Sequence, residues 1–308
     1  MSETATRCGF VAVLGAPNAG KSTLVNALVG SKVSIVTPKV QTTRMPVRGV
    51  AMQGESQIIF VDTPGIFRPR RRLDRAMVKS AWAGAGDADA ILVIVDAAAE
   101  AGEPDGPAAR DTRSIIEGLT RANRKAVLVL NKVDAVSRQE LLPLTERLGR
   151  DSLFERVFMI SALKGDHVAD VRAWCAERVP AGPWLYPADQ AADIPSRLLA
   201  SEITREKLYL RLHDELPYAA TVETELWTEK KDGSVRIDQT IFVERDSQKK
   251  IVLGKSGRAI KAIGEASRRE LEEIFARRVH LFLFVKVREN WADEREHYGA
   301  MGLEFPEE

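Results

Sequence analysis

Cysteine is scarce in this sequence, and long apolar runs are absent from it. Among 308 residues there are two cysteines, Cys8 and Cys175, which lie far apart along the chain. This usage argues for a reducing compartment and against a disulfide scaffold or a cysteine-based zinc site. No apolar stretch approaches the ~18 residues that a membrane span requires, and the opening MSETATRCGF has no signal-peptide core. We therefore expect a cytosolic protein, with peripheral membrane contact left open.

An excess of charge of one sign is lacking as well. The chain carries 45 Lys or Arg residues and 44 Asp or Glu residues, which gives a formal net charge of +1. Any surface that binds nucleic acid must therefore be local, because the whole chain has no positive field. The length suits about two domains, each large enough to bury its own core.

Strand-like and helix-like segments alternate from residue 7 to residue 179. Apolar runs predict buried strands over residues 8–14, 58–61, 91–95, 126–130 and 157–160. An extra strand over residues 47–53 is expected to pair with the second of these as an antiparallel hairpin. The predicted fold class is α/β, with a doubly wound, mostly parallel sheet that binds its ligand at the carboxyl ends of the strands. Helices are expected over residues 21–29, 73–83, 109–120, 137–148 and 166–177.

The first predicted strand is followed by GAPNAGKS, residues 15–22, and then by a helix. This order is typical of a P-loop, whose amides and helix N-terminus bind phosphate. Lys21 is expected to reach the β- and γ-phosphates and Ser22 to hold Mg²⁺; a plain glycine turn is the alternative. The predicted phosphate-binding residues are Gly15, Ala16, Pro17, Asn18, Ala19, Gly20, Lys21, Ser22 and Thr23.

Two further motifs lie where a nucleoside triphosphatase senses the γ-phosphate. In DTPG, Asp62 can hold Mg²⁺, usually through water, and the Gly65 amide can bond the γ-phosphate. In QTTR, residues 41–44, a threonine hydroxyl can complete the Mg²⁺ coordination; Thr42 and Thr43 both qualify, and Thr43 is favoured. The prediction is a catalytic set of Lys21, Thr43, Asp62 and Gly65, a Mg²⁺ set of Ser22, Thr43 and Asp62, and further nucleotide contacts from Thr42, Thr63, Pro64 and Ile66.

Two more strand ends predict which base is bound. In NKVD, Asp134 can accept hydrogen bonds from N1–H and the exocyclic amine of guanine, and an unpaired buried carboxylate would reject adenine. Asn131 can bridge the purine N7 and the P-loop, while the Lys132 stem can cover the ring. The other strand end is followed by SALKG, residues 161–165. Ser161, Ala162 and Leu163 are expected near guanine O6, and the Ala162 amide is the main candidate donor.

The alternation stops at PAGPWLYPADQAADIP, residues 180–195, whose four prolines predict an interdomain linker. A helix over residues 196–216, two strands over 221–228 and 235–244, a glycine loop, a charged helix to about residue 278 and a strand over 279–287 are expected after it. The predicted domains are a GTPase domain over residues 1–179, the linker over 180–195, and a smaller α+β domain with an acidic tail over 196–308.

The glycine loop GKSG resembles the GXXG of KH domains, which clamps single-stranded RNA backbone. One helix, two strands, two GXXG-linked helices and a final strand follow the type II KH order. Residues 249–288 carry eleven Lys or Arg and four carboxylates, a net charge of +7, whereas residues 289–308 carry −6. A local excess of this size suits phosphate contacts; an amphipathic helix with solvated charges is the alternative. The predicted RNA-binding residues are Ile251, Gly254, Lys255, Ser256, Gly257, Arg258 and Lys261.

The nucleotide motifs resemble those of the translation-factor-related GTPases, and with the KH signature they resemble the Era family of bacterial GTPases over residues 9–288. The resemblance implies GTP or GDP with Mg²⁺, binding near the 3′ end of 16S ribosomal RNA, a role in 30S subunit maturation, and loose association with the inner membrane face. A monomer without an obligate protein partner is expected. The alternative is a signalling GTPase whose C-terminal domain binds protein or the membrane surface.

One position departs from the Ras-like pattern. Ras-like proteins have a glutamine after the D-x-x-G motif to orient the attacking water, whereas Ile66 stands here. Intrinsic GTP hydrolysis is therefore expected to be slow, with catalysis completed by a cation, a reordered loop or a partner. The resemblance to potassium-activated GTPases implies that Asn18 ligates K⁺; a plain loop residue is the alternative.

Overall fold

The computed structural model describes residues 6–150, 152–212 and 219–306. These residues form two compact units. The first contains the described residues up to Ser34, those from Thr43 to Asp193, and residues 298–306; the second contains Ile35–Thr42 and the described part of Ile194–His297. Two short segments, residues 35–42 and 298–306, therefore lie in a different unit from the residues that precede them. The predicted domains follow chain order instead, and their boundaries stay a prediction.

A twisted sheet of seven strands organises the described residues of the first unit. Its spatial order is β6-β5-β4-β1-β3-β2-β7, with β2 antiparallel to both of its neighbours and every other pair parallel. The predicted hairpin of the second and third strands is therefore present. The strands are β1 (Arg7–Gly15), β2 (Val47–Gln53), β3 (Ser56–Asp62), β4 (Ala90–Asp96), β5 (Ala126–Asn131), β6 (Phe154–Met159) and β7 (Ala192–Asp193).

Helices cover both faces of this sheet, so the predicted doubly wound fold is confirmed. Alternate residues of β1 enter opposite cores: Val11 and Val13 pack on one face, and Ala12 and Leu14 pack on the other. Burial on both faces explains the continuous apolar runs in the sequence. The helices are α1 (Lys21–Val29), α2 (Arg72–Gly86), α3 (Ala97–Gly102), α4 (Pro107–Arg121), α5 (Arg138–Gly149) and α6 (Val168–Arg178). The short α3 was not predicted.

The proline-rich linker is attached to the first unit by a buried glutamine. Gln57 of β3 is fully buried, and its Oε1 accepts hydrogen bonds from the amides of Leu185 (2.8 Å) and Tyr186 (3.0 Å). Its Nε2 donates to the Tyr186 carbonyl at 2.7 Å. Farther along the linker, β7 pairs with β2. The linker thus follows the β2–β3 hairpin, which connects the QTTR and DTPG motifs.

The second unit has the predicted type II KH order. Its described residues include a three-stranded sheet in the order β10-β9-β8, with β9 and β10 parallel, and helices pack on one face. The elements are α7 (Ser196–Arg211), β8 (Ala220–Glu229), β9 (Val235–Val243), α8 (Asp246–Leu253), α9 (Arg258–Phe275) and β10 (Val279–Val287). The end of the helix predicted to residue 216 lies outside the described residues.

Part of the acidic tail contacts α2. A short helix, α10 (Arg295–Ala300), precedes it. Glu304 pairs with Lys79 at 2.7 Å, and the Arg72 guanidinium lies 5.0 Å from the centre of the Phe305 ring. No helix in the described part of the chain is both long and apolar enough to cross a bilayer.

We predict that Gln57→Leu loosens the linker. The substitution removes three hydrogen bonds between β3 and the linker, which costs about 3 kcal/mol in local stability. Hydrogen exchange of a peptide that covers residues 184–190 should therefore accelerate, and the thermal midpoint should fall. Gln53→Leu, at the exposed end of β2, is the matched control and should change neither. Unchanged exchange in Gln57→Leu would show that the linker is held by other contacts.

Candidate functional site

The P-loop connects β1 to α1 in a shape that only glycine permits at its end. Gly20 has φ 96° and forms the N-cap of α1, and a Cβ there would lie 2.2 Å from Nδ2 of Asn131. Lys21 is buried, and its Nζ donates to the carbonyls of Gly15 (3.1 Å) and Ala16 (2.9 Å). The ammonium therefore lies inside the loop whose amides would surround a phosphate chain.

Three side-chain oxygens converge beside Lys21. Ser22 Oγ donates to Asp62 Oδ2 at 2.7 Å and lies 2.8 Å from Thr43 Oγ1; the Thr43 hydroxyl is 3.4 Å from Asp62 Oδ2. Asp62 is fully buried, and its Oδ1 has no hydrogen-bond partner among the described residues. A hard divalent cation fits this donor set because carboxylate and hydroxyl oxygens are its usual ligands.

Burial also sets the charges in this cluster. Desolvation raises the pKa of the Asp62 carboxyl, and the hydrogen bond from Ser22 and the charge of Lys21 oppose this rise only in part. Desolvation lowers the pKa of Lys21 to about 8, against the attraction of Asp62. Both groups therefore gain from additional charges of opposite sign, which a divalent cation and a polyphosphate carry.

The NKVD motif connects the P-loop to the SALKG turn. Asn131 Nδ2 donates to the Ala19 carbonyl at 2.9 Å, and its Oδ1 accepts from the Ala162 amide at 2.9 Å. Lys132 Nζ donates to the Asn18 carbonyl at 2.8 Å and pairs with Asp96 Oδ2 at 2.5 Å. The NKVD motif thus connects the P-loop, the SALKG turn and the end of β4 to one another.

Asp134 is available as an ionised acceptor. A hydrogen bond from Ser161 and the nearby Lys164 hold the pKa of this carboxyl below its ordinary value. Lys164 Nζ lies 3.4 Å from Asp134 Oδ2. An ionised carboxylate at this strand end can accept two donors from one edge of a base, as guanine offers and adenine does not.

Most of the predicted nucleotide residues meet at the carboxyl end of the sheet, with three differences. The Thr42 hydroxyl is 2.6 Å from that of Thr37, so Thr43 is the threonine whose hydroxyl lies beside Ser22. The Ala162 amide, expected at guanine O6, is used by Asn131. Leu163 is 83% exposed. The roles of these residues toward a nucleotide stay predictions.

Sequence reasoning missed Asp96. Asp96 ends β4; its Oδ1 accepts from the Ala99 amide to cap α3, while its Oδ2 holds Lys132. An aspartate at a predicted strand end was the available signal. Ile66 is buried in the apolar core, and its amide donates to the Gly15 carbonyl at 3.1 Å.

The GKSG loop forms a second site in the other unit. α8 ends at Leu253, α9 begins at Arg258, and both Ser256 (φ 54°) and Gly257 (φ 73°) have left-handed backbone. Val252 and Ile263 belong to the core. The predicted RNA-binding side chains that are exposed are those of Ile251, Lys255, Ser256, Arg258 and Lys261.

Comparisons with known proteins agree with both sites. A family model described as a 50S ribosome-binding GTPase matches residues 10–132, and a KH-domain model matches residues 215–292. GTPase Era of Brucella suis biovar 1 is 61% identical over 303 residues, which cover 98% of this chain and 95% of that protein. GTPase Era of Caulobacter vibrioides strain NA1000 is 58% identical over 307 residues, 97% of each chain.

Two solved structures share the whole architecture. An Era variant from Aquifex aeolicus bound to GDP·AlF4⁻ has a TM-score of 0.88 and 36% identity, over 96% of this chain and 99% of its own. The same values hold for Era in complex with MgGDPNP and nucleotides 1506–1542 of 16S ribosomal RNA.

The fold and the sites define a P-loop GTPase with a C-terminal KH domain. Full-length identity near 60% places the chain within that class: it belongs to the Era family of GTPases. It is therefore an enzyme that hydrolyses GTP.

We predict that Asp134→Asn changes the base preference from guanine toward xanthine. The amide cannot accept both guanine donors, so GTP affinity should fall about 100-fold, while xanthosine triphosphate should bind better than in the parent protein. Equilibrium titration with fluorescent nucleotides measures both. Asp105→Asn, at an exposed loop, is the matched control. Unchanged GTP affinity in Asp134→Asn would refute base reading by this carboxylate.

Proposed function

We propose that this GTPase binds single-stranded 16S ribosomal RNA near its 3′ end and acts in maturation of the 30S ribosomal subunit. The observation that carries the proposal is the exposed GKSG loop with Lys255, Arg258 and Lys261, within a stretch of net charge +7. A related Era structure that contains nucleotides 1506–1542 of 16S ribosomal RNA supports the same RNA. The KH fold supplies the surface, because GXXG loops clamp RNA backbone.

GTP acts as the switch in this proposal. Lys21 and Gly65 would bind the γ-phosphate, and Ser22, Thr43 and Asp62 would hold Mg²⁺, which neutralises charge on the phosphates when bound. Order in residues 41–44 and 62–66 then depends on GTP. Segment Ile35–Thr42 lies in the compact unit that contains the KH elements, and this location supports communication between nucleotide and RNA. RNA must in return favour the GTP state, because coupling between sites is reciprocal.

We predict that Gly257→Asp weakens RNA binding at least tenfold and leaves GDP affinity within about twofold. The carboxylate would repel phosphate at the point where the RNA backbone approaches the loop. Filter binding with nucleotides 1506–1542 of 16S ribosomal RNA over a salt series measures the effect, since phosphate contacts weaken steeply with salt.

Gly233→Asp is the matched control for this substitution. Gly233 has φ 79°, lies in the β8–β9 turn, and has open space around it, as Gly257 does. RNA affinity should be unchanged in Gly233→Asp. Equal losses in both variants, or loss of GDP binding with RNA binding, would contradict the proposed division of roles.

Flotation with anionic vesicles tests the expected loose membrane association. Binding to the vesicles without binding to RNA would favour the alternative in which the C-terminal domain binds the membrane surface.

We also infer that Asn18 ligates K⁺ during hydrolysis. The exposed Asn18 has φ 62° in the P-loop, where its carbonyl already accepts from the Lys132 ammonium. Single-turnover GTP hydrolysis should be about tenfold faster in KCl than in NaCl, as expected for one charge at the developing transition state. Asn18→Ala should remove the difference, with GDP affinity as the control measurement. Equal rates of the parent protein in both salts would refute this role.

A further inference from the structure

Helix α7 of the KH-containing unit holds the segment that leads into the QTTR motif. Ile35 is buried in one apolar cluster with Ala200 and Ile203. The Val36 amide donates to Glu206 Oε1 at 2.8 Å, and Lys39 Nζ donates to the Leu212 carbonyl. The segment thus follows α7 by apolar packing and hydrogen bonds together.

Arg205 contacts the last residue of this segment, Thr42. Its side chain is buried, and its Nη2 donates to the Thr42 carbonyl at 2.6 Å. Nε donates to Glu202 Oε1 at 2.7 Å, and the guanidinium lies 5.1 Å from the centre of the Tyr209 ring. The ion pair with Glu202 offsets the cost of burying the charge. Nη2 also donates to Glu202 Oε2, so this one nitrogen joins the carboxylate to the Thr42 carbonyl.

The carbonyl that Arg205 holds belongs to the peptide that joins Thr42 to Thr43. A peptide group is planar, so a fixed carbonyl direction also fixes the direction of the Thr43 amide and the position of its Cα. The Thr43 hydroxyl in turn lies 2.8 Å from Ser22 Oγ and 3.4 Å from Asp62 Oδ2. The Thr42 hydroxyl is used elsewhere, by Thr37. The residue that Arg205 contacts therefore directly precedes, along the chain, the residue whose hydroxyl enters the oxygen cluster.

We propose that Arg205 is a positioning residue of the GTPase reaction, which holds the Thr42–Thr43 peptide so that Thr43 stays at the cation site. A residue of the KH-containing unit then contributes to the stability of the GTP state. This inference rests on the proposed Mg²⁺ role of Thr43. Arg205 would also be a side chain through which RNA binding and GTP binding influence each other.

The test measures dissociation of a fluorescent, non-hydrolysable GTP analogue from the full-length protein in Mg²⁺ buffer. Arg205→Lys keeps the charge beside Glu202 but has one donor head, which cannot reach both Glu202 and Thr42 in the guanidinium geometry. We expect analogue dissociation to accelerate about tenfold, as for loss of one charge-assisted hydrogen bond, and GDP dissociation to change less than twofold.

Arg197→Lys is the matched control. Arg197 is on the same helix, is exposed, and donates to the carbonyls of Thr224 and Glu225 in β8. Analogue dissociation should be unchanged in this variant. Hydrogen exchange provides a readout without nucleotide turnover: Arg205→Lys should accelerate exchange in residues 37–44 and not along α7. Acceleration throughout α7 would show a merely structural role and overturn the proposal.

A double variant separates this inference from the proposal beneath it. If Arg205 acts through Thr43, Arg205→Lys combined with Thr43→Ala should release the analogue no faster than Thr43→Ala alone. Additive effects, or unchanged dissociation in Arg205→Lys, would overturn the role of Arg205. If Thr43→Ala itself leaves Mg²⁺-dependent dissociation unchanged, the proposed cation role of Thr43 fails, and the positioning role fails with it.

Discussion

The nucleotide site depends on the burial of one carboxylate. Asp62 has no contact with solvent, although an isolated buried carboxylate is costly. Hydroxyl groups from two other segments, Ser22 of α1 and Thr43 of the QTTR loop, surround it, and Lys21 lies close enough to influence its pKa. The carboxylate therefore requires these segments in one arrangement, and a bound cation would strengthen that arrangement. The candidate cation site and the position of the QTTR loop are connected because both depend on the Asp62 carboxylate.

Buried polar side chains connect that cluster to the rest of the chain. Asn131 ties the P-loop to the SALKG turn, Gln57 ties the linker to β3, and Arg205 holds the peptide before Thr43. Each of these groups has several hydrogen-bond partners. Its main effect is therefore to select one arrangement of the segments around it, and its contribution to stability is secondary. The β2–β3 hairpin lies between the QTTR and DTPG motifs and also carries the linker strand. A conformational change at the QTTR or the DTPG motif therefore acts on the β2–β3 hairpin, and this hairpin is hydrogen-bonded to the linker strand β7.

The sequence predicted well those features whose determinants lie close together along the chain. GAPNAGKS, DTPG, NKVD and GKSG are runs of four to eight residues whose backbone and side chains form a site locally, so their places at strand ends could be predicted. The contacts of Gln57 and Arg205 could not, because their partners lie 129 and 163 residues away. A buried arginine in an amphipathic helix has the same pattern in sequence as an exposed one. The use of the Ala162 amide by Asn131 likewise depends on a rotamer that no local pattern encodes.

Packing also gives a physical reason for the expectation of slow hydrolysis. Ile66 follows Gly65 at the place where Ras-like proteins position water, yet its side chain belongs to the apolar core beside Leu14 and Val93. A glutamine there would bury an amide without partners, at a cost of about 1–3 kcal/mol. The chain therefore cannot gain a water-orienting side chain at residue 66 without loss of core stability. Acceleration of hydrolysis is therefore expected from another group, namely a cation, a reordered loop or a partner.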